Sequence, residues 1–214
     1  MDDETTDNLK ASYDRIAPQY VEHIYGELAH KPLDRALLDR FADVVRGRGT
    51  VCDMGCGPGH VARYLHERGV AVQGIDLSPG MVAQAQHLNP GIAFHEGSML
   101  ALDESDNAWA GITAFYCIIH IGRDEVTAAL REMWRVLQPG GLLLLAFHVG
   151  DEVLRPDEMW GQPVAIDFIF YQPAAMVGYL TAAGFAVEDV IQRPPYRDVE
   201  HQSRRAYIFA RRPA

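Results

Sequence analysis

The stretch Val51-Cys52-Asp53-Met54-Gly55-Cys56-Gly57-Pro58-Gly59 constrains this chain more than any other. An extended run from Thr50 to Met54 leads straight into three glycines at alternate positions. Pro58 then pre-sets a backbone angle suited to the first turn of a helix over His60 to Arg68. Glycine lacks the Cβ that would hold a ligand off the backbone. The loop N–H groups and the helix N-terminus together make a site for anionic or polar groups. Strand, glycine turn and helix in that order form the nucleotide-binding crevice of an open α/β sheet.

The dinucleotide fingerprint is G-x-G-x-x-G, whereas here the third glycine arrives one residue early and Asp53 sits in the strand end ahead of the first glycine. A carboxylate there repels a pyrophosphate but suits a ligand bearing an ammonium or sulfonium, which favours S-adenosylmethionine over NAD. The segment resembles motif I of the class I S-adenosylmethionine-dependent methyltransferases, D-x-G-x-G-x-G. The resemblance continues through Gly74-Ile75-Asp76-Leu77-Ser78, Glu96-Gly97-Ser98-Met99, Tyr116 to His120, and Leu137-Gln138-Pro139-Gly140-Gly141, so that it covers roughly residues 10 to 212 in the family's order. It implies an α/β, Rossmann-like doubly wound sheet of seven strands in the order 3-2-1-4-5-7-6, the last antiparallel, with helices on both faces. It also implies S-adenosylmethionine as cofactor, S-adenosylhomocysteine as product, and a small molecule as methyl acceptor.

Composition narrows the partners. At 214 residues, 48% apolar and 22% charged, the chain has the makings of one globular domain. A formal charge of −10 argues against a broad phosphate-contacting surface and so against nucleic acid. No apolar run reaches membrane-spanning length, and the acidic start Met1-Asp2-Asp3-Glu4 is unlike a targeting peptide; the expectation is a cytoplasmic protein, either monomer or homodimer. Three cysteines without a matching Cys/His pair read as small buried hydrophobes and not as a metal site.

Within one domain over 1–214, four parts are expected: a helical cap over 1–47, a cofactor-binding core over 48–148, a substrate lid over 149–172, and a C-terminal helix and hairpin over 173–214. Residues 1–8 read as frayed. Tyr13, Ile16, Tyr20 and Ile24 recur at helical steps, with Pro18 expected to break or offset the helix. Helices follow over 32–45, 79–88, 124–137 and 173–183. Strands are expected over 70–75, 92–96, 109–116, 142–147, 185–193 and 205–211. The segment 149–172 matches no regular core element; its aromatics over the active edge of a sheet read either as a lid or as a packed surface excursion.

Asp76, at the end of the second strand, is placed to accept hydrogen bonds from ribose hydroxyls, while Ser78 is the better helix cap. The resemblance places Gly55, Cys56, Gly57, Gly59 and Asp53 near the cofactor's methionine end, and Tyr13 and Tyr20 over it. Leu77, Met81, Gly97, Met99 and Phe115 complete the cofactor set, with Ser98 standing where the family usually has an aspartate for the adenine amino group. Tyr116, His120 and His148 are the candidate catalytic and acceptor-orienting groups, joined for acceptor binding by Trp160 and Tyr171. Imidazole titrates near neutrality, but His120 reads also as a structural histidine bonded to a loop carbonyl, the reading its place favours. The aromatic lid points to an apolar or aromatic acceptor. Two other readings share the crevice: an NAD(P)-dependent oxidoreductase and a non-catalytic S-adenosylmethionine-binding protein.

Overall fold

The computed structural model describes residues 3–214. Its centre is a seven-stranded sheet. Strand β1 (Val51–Met54) pairs in parallel with β2 (Val72–Asp76) on one side and β4 (Trp109–Phe115) on the other. Strand β3 (Ala93–Glu96) extends the sheet beyond β2, and β5 (Leu137–His148) lies beside β4. The short ribbons β6 (Val153–Leu154) with β9 (Phe168–Ile169), and β7 (Glu158–Met159) with β8 (Gln162–Pro163), lie in the segment 149–172 outside this sheet. Strands β10 (Ala186–Arg193) and β11 (Arg205–Arg211) close the order β10-β11-β5-β4-β1-β2-β3, with β11 antiparallel to both neighbours. Counting only sheet strands, this is 3-2-1-4-5-7-6, as expected.

Alternation along the central strands explains why both faces are covered. Cys52, Met54, Ile112, Ala114, Leu143, Leu145 and Phe147 pack on one side, with α5 (Val126–Val136) and α6 (Pro173–Ala182). Val51, Leu142, Leu144, Ala146, Tyr207 and Phe209 pack on the other, with α2 (Pro32–Val45) and α3 (His60–His66). Strands buried on both faces read as continuous apolar runs, as Leu142–Phe147 does. Helix α4 (Pro79–Leu88) joins α3 over β2 and β3, capped by Ser78, whose hydroxyl accepts from Met81 N at 3.0 Å.

Three expectations change. Helix α1 (Asp3–Ile24) runs unbroken through Pro18, and residues 3–8 belong to it; residues 1 and 2 lie outside the described residues. A proline inside an isolated helix costs about 3 kcal/mol. Here the residue four before it, Asp14, ties α1 to α4, its carboxylate accepting from Ser78 Oγ at 2.6 Å and Gly80 N at 2.8 Å. Tertiary anchorage at the weakened turn keeps the helix whole. At the end of α5 the chain turns extended at Leu137, which pairs with Trp109, so the strand expected over 142–147 begins at Leu137 and Pro139-Gly140-Gly141 forms an irregularity within it. Last, 149–172 contains the two ribbons β6/β9 and β7/β8, where no regular element was expected. Among the described residues, no helix is long and apolar enough to cross a membrane.

Candidate active site

The parallel register brings the carboxyl ends of β1, β2 and β3 together: Met54 stands opposite Ile75, and Asp76 opposite Glu96. A crevice opens at this edge, lined by Gly55 and Gly57 from the loop, by Asp76, Leu77 and Met81 after β2, and by Gly97, Ser98 and Met99 after β3. Phe115, Tyr116 and His120 form its far wall, and Tyr13 and Tyr20 on α1 its roof. Thirteen residues named from sequence therefore meet in one place.

Asp76 accepts from Gly57 N at 2.8 Å and Ser78 N at 2.9 Å, one on each carboxylate oxygen. Each oxygen retains a lone pair for a further donor. Burial pushes its pKa up to about 6, against the pull of those two N–H groups. Ser98 lies in the crevice with its hydroxyl oxygen accepting from Leu100 N at 3.2 Å. Lys10, also lining the crevice, pairs with Glu96 across its mouth.

The three glycines divide the work. A Cβ at Gly55 would stand 2.3 Å from Cys117 Cβ, and one at Gly59 would stand 2.7 Å from both Asn89 Nδ2 and Phe94 Cζ. Those two glycines allow elements to pack. Only Gly57 is free of such overlap, its nearest neighbour being Tyr20 Cε1 at 3.6 Å; it is the position where missing side-chain volume is left to a ligand.

Three residues expected at the cofactor stand elsewhere. Asp53 is buried beneath the loop, accepting from Thr113 Oγ1 at 2.9 Å and from Ala62 N at 3.0 Å. It thus occupies one N–H of the first turn of α3, that of Ala62, with a built-in carboxylate, and burial raises its pKa to about 6. Cys56 packs with Ala62, Val82 and Phe94, and Gly59 starts α3 in the left-handed region at φ +81°.

A second cavity of about 610 Å³, in the range of small-ligand pockets, adjoins the crevice. Tyr13, Tyr20 and Tyr116 line both. Its aromatic wall includes Trp160, Phe168 and Phe170; His148 stacks on Phe170 with ring centres 4.8 Å apart and hydrogen-bonds Ser203 Oγ through Nδ1 at 2.7 Å. Burial pushes the His148 pKa far down. Tyr116 and Trp160 hold left-handed backbones, at φ 56° and 51°, a strained arrangement of the kind concentrated at ligand sites. Tyr171 stands apart: its ring packs on Phe147 and Tyr179 and its hydroxyl donates to the Ile121 carbonyl, so it is a core residue and lines neither cavity. Alternation along 168–171 accounts for this, since Tyr171 faces the sheet where Phe170 faces the cavity.

The segment 149–172 is clasped to α1 over the crevice. His120 joins them, with Nδ1 3.0 Å from the Asp167 carbonyl and Nε2 2.8 Å from Tyr13 Oη. Burial lowers its pKa to about 4, so the ring is neutral near pH 7. Ser12 Oγ accepts from Ala165 N at 2.9 Å, and Arg15 donates to the Pro163 carbonyl at 2.6 Å.

Sequence reading missed much of the second cavity. Its floor holds Lys31 between Glu27 (2.7 Å) and Glu200 (3.3 Å), and Arg205 3.6 Å from the same Glu200. These come from a short helical turn, a helix cap and a late loop, and no local pattern links them. Leu9 and Lys10 were legible, standing four and three residues before Tyr13 on one helix face.

The chain is similar to known proteins in sequence and in fold. Residues 51–141 match the family model described as a methyltransferase domain. The malonyl-(acyl-carrier protein) O-methyltransferase of Enterobacter lignolyticus is 30% identical over 156 residues, 71% of this chain and 58% of that protein. The demethylmenaquinone methyltransferase of Renibacterium salmoninarum is 30% identical over 145 residues, 67% of this chain and 60% of that protein. The chain thus spans under two thirds of the length of these relatives. Among solved structures, the DhpI–SAH complex superposes with a TM-score of 0.75 at 21% identity, covering 100% of this chain and 99% of that one. A Haloferax volcanii methyltransferase, solved with the activator Trm112, gives 0.71 at 17% identity over 98% of each.

Proposed function

We propose that the chain is a class I S-adenosylmethionine-dependent methyltransferase, which binds S-adenosylmethionine in the crevice and transfers the methyl group to a small molecule held in the adjoining cavity. The observation that carries this reading is the pairing of Asp76 with Gly57: a carboxylate with free lone pairs beside a loop position open to a ligand. Asp76 takes the ribose hydroxyls, Leu77 and Met99 wall the adenine, Ser98 stands by its edge, and Tyr13 and Tyr20 cover the methionine end.

When bound, the cofactor supplies a methyl group on a positive sulfur that leaves as a neutral sulfide, so positioning and exclusion of water carry much of the rate. The protein's part follows. Tyr116, at the junction of the two cavities, orients the acceptor, and Trp160, Phe168 and Phe170 hold its apolar body. The clasp of His120 between α1 and 149–172 keeps water out, which supports reading that segment as a lid over an otherwise continuous core.

The relatives act on different acceptors by name, a malonyl group on an acyl-carrier protein and demethylmenaquinone. At about 30% identity to each, this chain's acceptor is set by its own cavity. An oxidoreductase reading is disfavoured by Asp53. In dinucleotide sites the pyrophosphate sits on the helix N-terminus after the glycine turn; here that N-terminus already bonds a carboxylate. Calorimetry with S-adenosylhomocysteine and with NADH tests the choice. Saturable binding of the former alone is expected; binding of NADH alone, or of neither, overturns the proposal.

A further inference from the structure

Hydrogen-bond direction at the junction of the two cavities can be worked out from groups that have only one option. Asp34, ion-paired with Arg193 at 2.9 Å, is a carboxylate and only accepts; Arg193 only donates. Tyr207 Oη lies 2.8 Å from Asp34 Oδ1 and 2.9 Å from Arg193 Nε. Its single proton therefore goes to Asp34. In the 3.2 Å contact between Tyr116 and Tyr207, the donor must then be Tyr116. The same logic holds for the roof. The Asp167 carbonyl only accepts, so the proton of neutral His120 is on Nδ1, Nε2 is an acceptor, and Tyr13 donates to it. Two of the three tyrosines that line both cavities, Tyr13 and Tyr116, have thus committed their protons inward, and each of those two oxygens has only lone pairs left to offer.

The cationic side chains nearby do not reverse this polarity. Lys31 is shared by Glu27 and Glu200, Arg205 faces Glu200, and Arg155 at the rim is held twice over by Asp167. The floor is charge-balanced, and it offers no surplus positive charge to an arriving anion.

We infer that the methyl acceptor presents a neutral hydrogen-bond donor, a hydroxyl or amine on an aromatic or apolar body, to the oxygens of Tyr13 and Tyr116, and that Asp34 and Tyr207, outside both cavities, are positioning residues that set this preference. The inference rests on the methyltransferase reading and adds the acceptor's chemical class to it.

The test uses three fluorescent probes of one shape on protein saturated with S-adenosylhomocysteine: 2-naphthol, 2-methoxynaphthalene and 2-naphthoate. The naphthol is expected to bind at least fivefold tighter than the ether and the carboxylate. Tyr207→Phe frees the Tyr116 proton to turn toward the cavity, so the preference over the carboxylate should fall to within twofold; a residue that only supported packing would weaken all three probes alike. Equal or tighter binding of the ether or carboxylate to the parent protein, or binding of none of the three, overturns the inference. So does an unchanged preference in Tyr207→Phe or, should that variant not fold, in Tyr116→Phe. Should S-adenosylhomocysteine itself fail to bind, the methyltransferase reading falls, and the same comparison on the ligand-free protein still decides the polarity.

Discussion

Alanine at Gly55 and at Gly57 separates packing from ligand space within one loop. Both glycines are left-handed, at φ +63° and +52°, so either substitution carries about 1–2 kcal/mol of backbone strain. At Gly55 the new methyl also meets Cys117 Cβ at 2.3 Å, a distance no rotamer change relieves. Overpacking of that kind adds about 1–3 kcal/mol, for a total of about 2–5 kcal/mol. In a chain of this size each kcal/mol lowers Tm by about 2–4 °C, so Gly55→Ala should melt roughly 4–20 °C early. Trimming Cys117 to alanine should not rescue it, because the collision is with Cβ itself. At Gly57 the methyl touches only Tyr20, at an ordinary 3.6 Å. Gly57→Ala should lose about 1–2 kcal/mol of stability from strain alone, yet weaken S-adenosylhomocysteine binding at least tenfold, about 1.4 kcal/mol, by occupying the crevice. Thermal melts and calorimetry on the two variants read both quantities. Wild-type affinity in Gly57→Ala, or the larger loss of stability in Gly57→Ala than in Gly55→Ala, would refute the assignment of roles.

Other consequences concern charge and anchorage. In the proposed role, ribose hydroxyls bond the ionised Asp76, whose pKa stands at about 6, so S-adenosylhomocysteine affinity should fall as pH drops through that value; Asp76→Asn should bind more weakly by about 1.5–3 kcal/mol and lose the pH dependence, measured by calorimetry across the range. Asp53 and Asp76 are both raised from 3.8 to about 6. The folded state therefore binds more protons than the unfolded one between those values, and their contribution to ligand-free stability rises as pH falls through about 6; urea titrations at several pH values should show the trend, and the Asp53→Asn, Asp76→Asn double variant should lack it. Asp14→Ala removes the acceptor of Ser78 and Gly80 and should cost about 1–3 kcal/mol while speeding release of S-adenosylhomocysteine in stopped-flow, because α1 roofs the crevice proposed to hold it. Tyr171→Phe deletes one core hydrogen bond, worth about 1 kcal/mol, and should leave ligand affinity unchanged; a loss of affinity would return Tyr171 to the site.

The crevice and Ser78 as a cap were legible because they follow from local chemistry, a glycine turn and a carboxylate at a strand end, whereas the sheet order came from the family resemblance. Asp76, Gly57 and the Tyr13–Tyr20 pair stand where the strand and helix periods put them. Asp53 misled for a physical reason. A carboxylate at a strand end looks the same in sequence whether it faces a ligand or turns under the loop to Thr113 and a helix N-terminus. The continuity of α1 through Pro18 was equally hidden, since the compensating contacts lie more than sixty residues away, at Ser78 and Gly80.

By itself, then, the sequence determined the doubly wound sheet and the class of ligand its edge can take, because strand alternation and glycine spacing are short-range properties. Only the tertiary structure decided the second cavity, the clasp through His120 and the direction of the Tyr116–Tyr207–Asp34 hydrogen bonds. Those depend on groups 47 to 173 residues apart in the chain meeting directly, and where a buried proton points is settled by which partners are left to accept it.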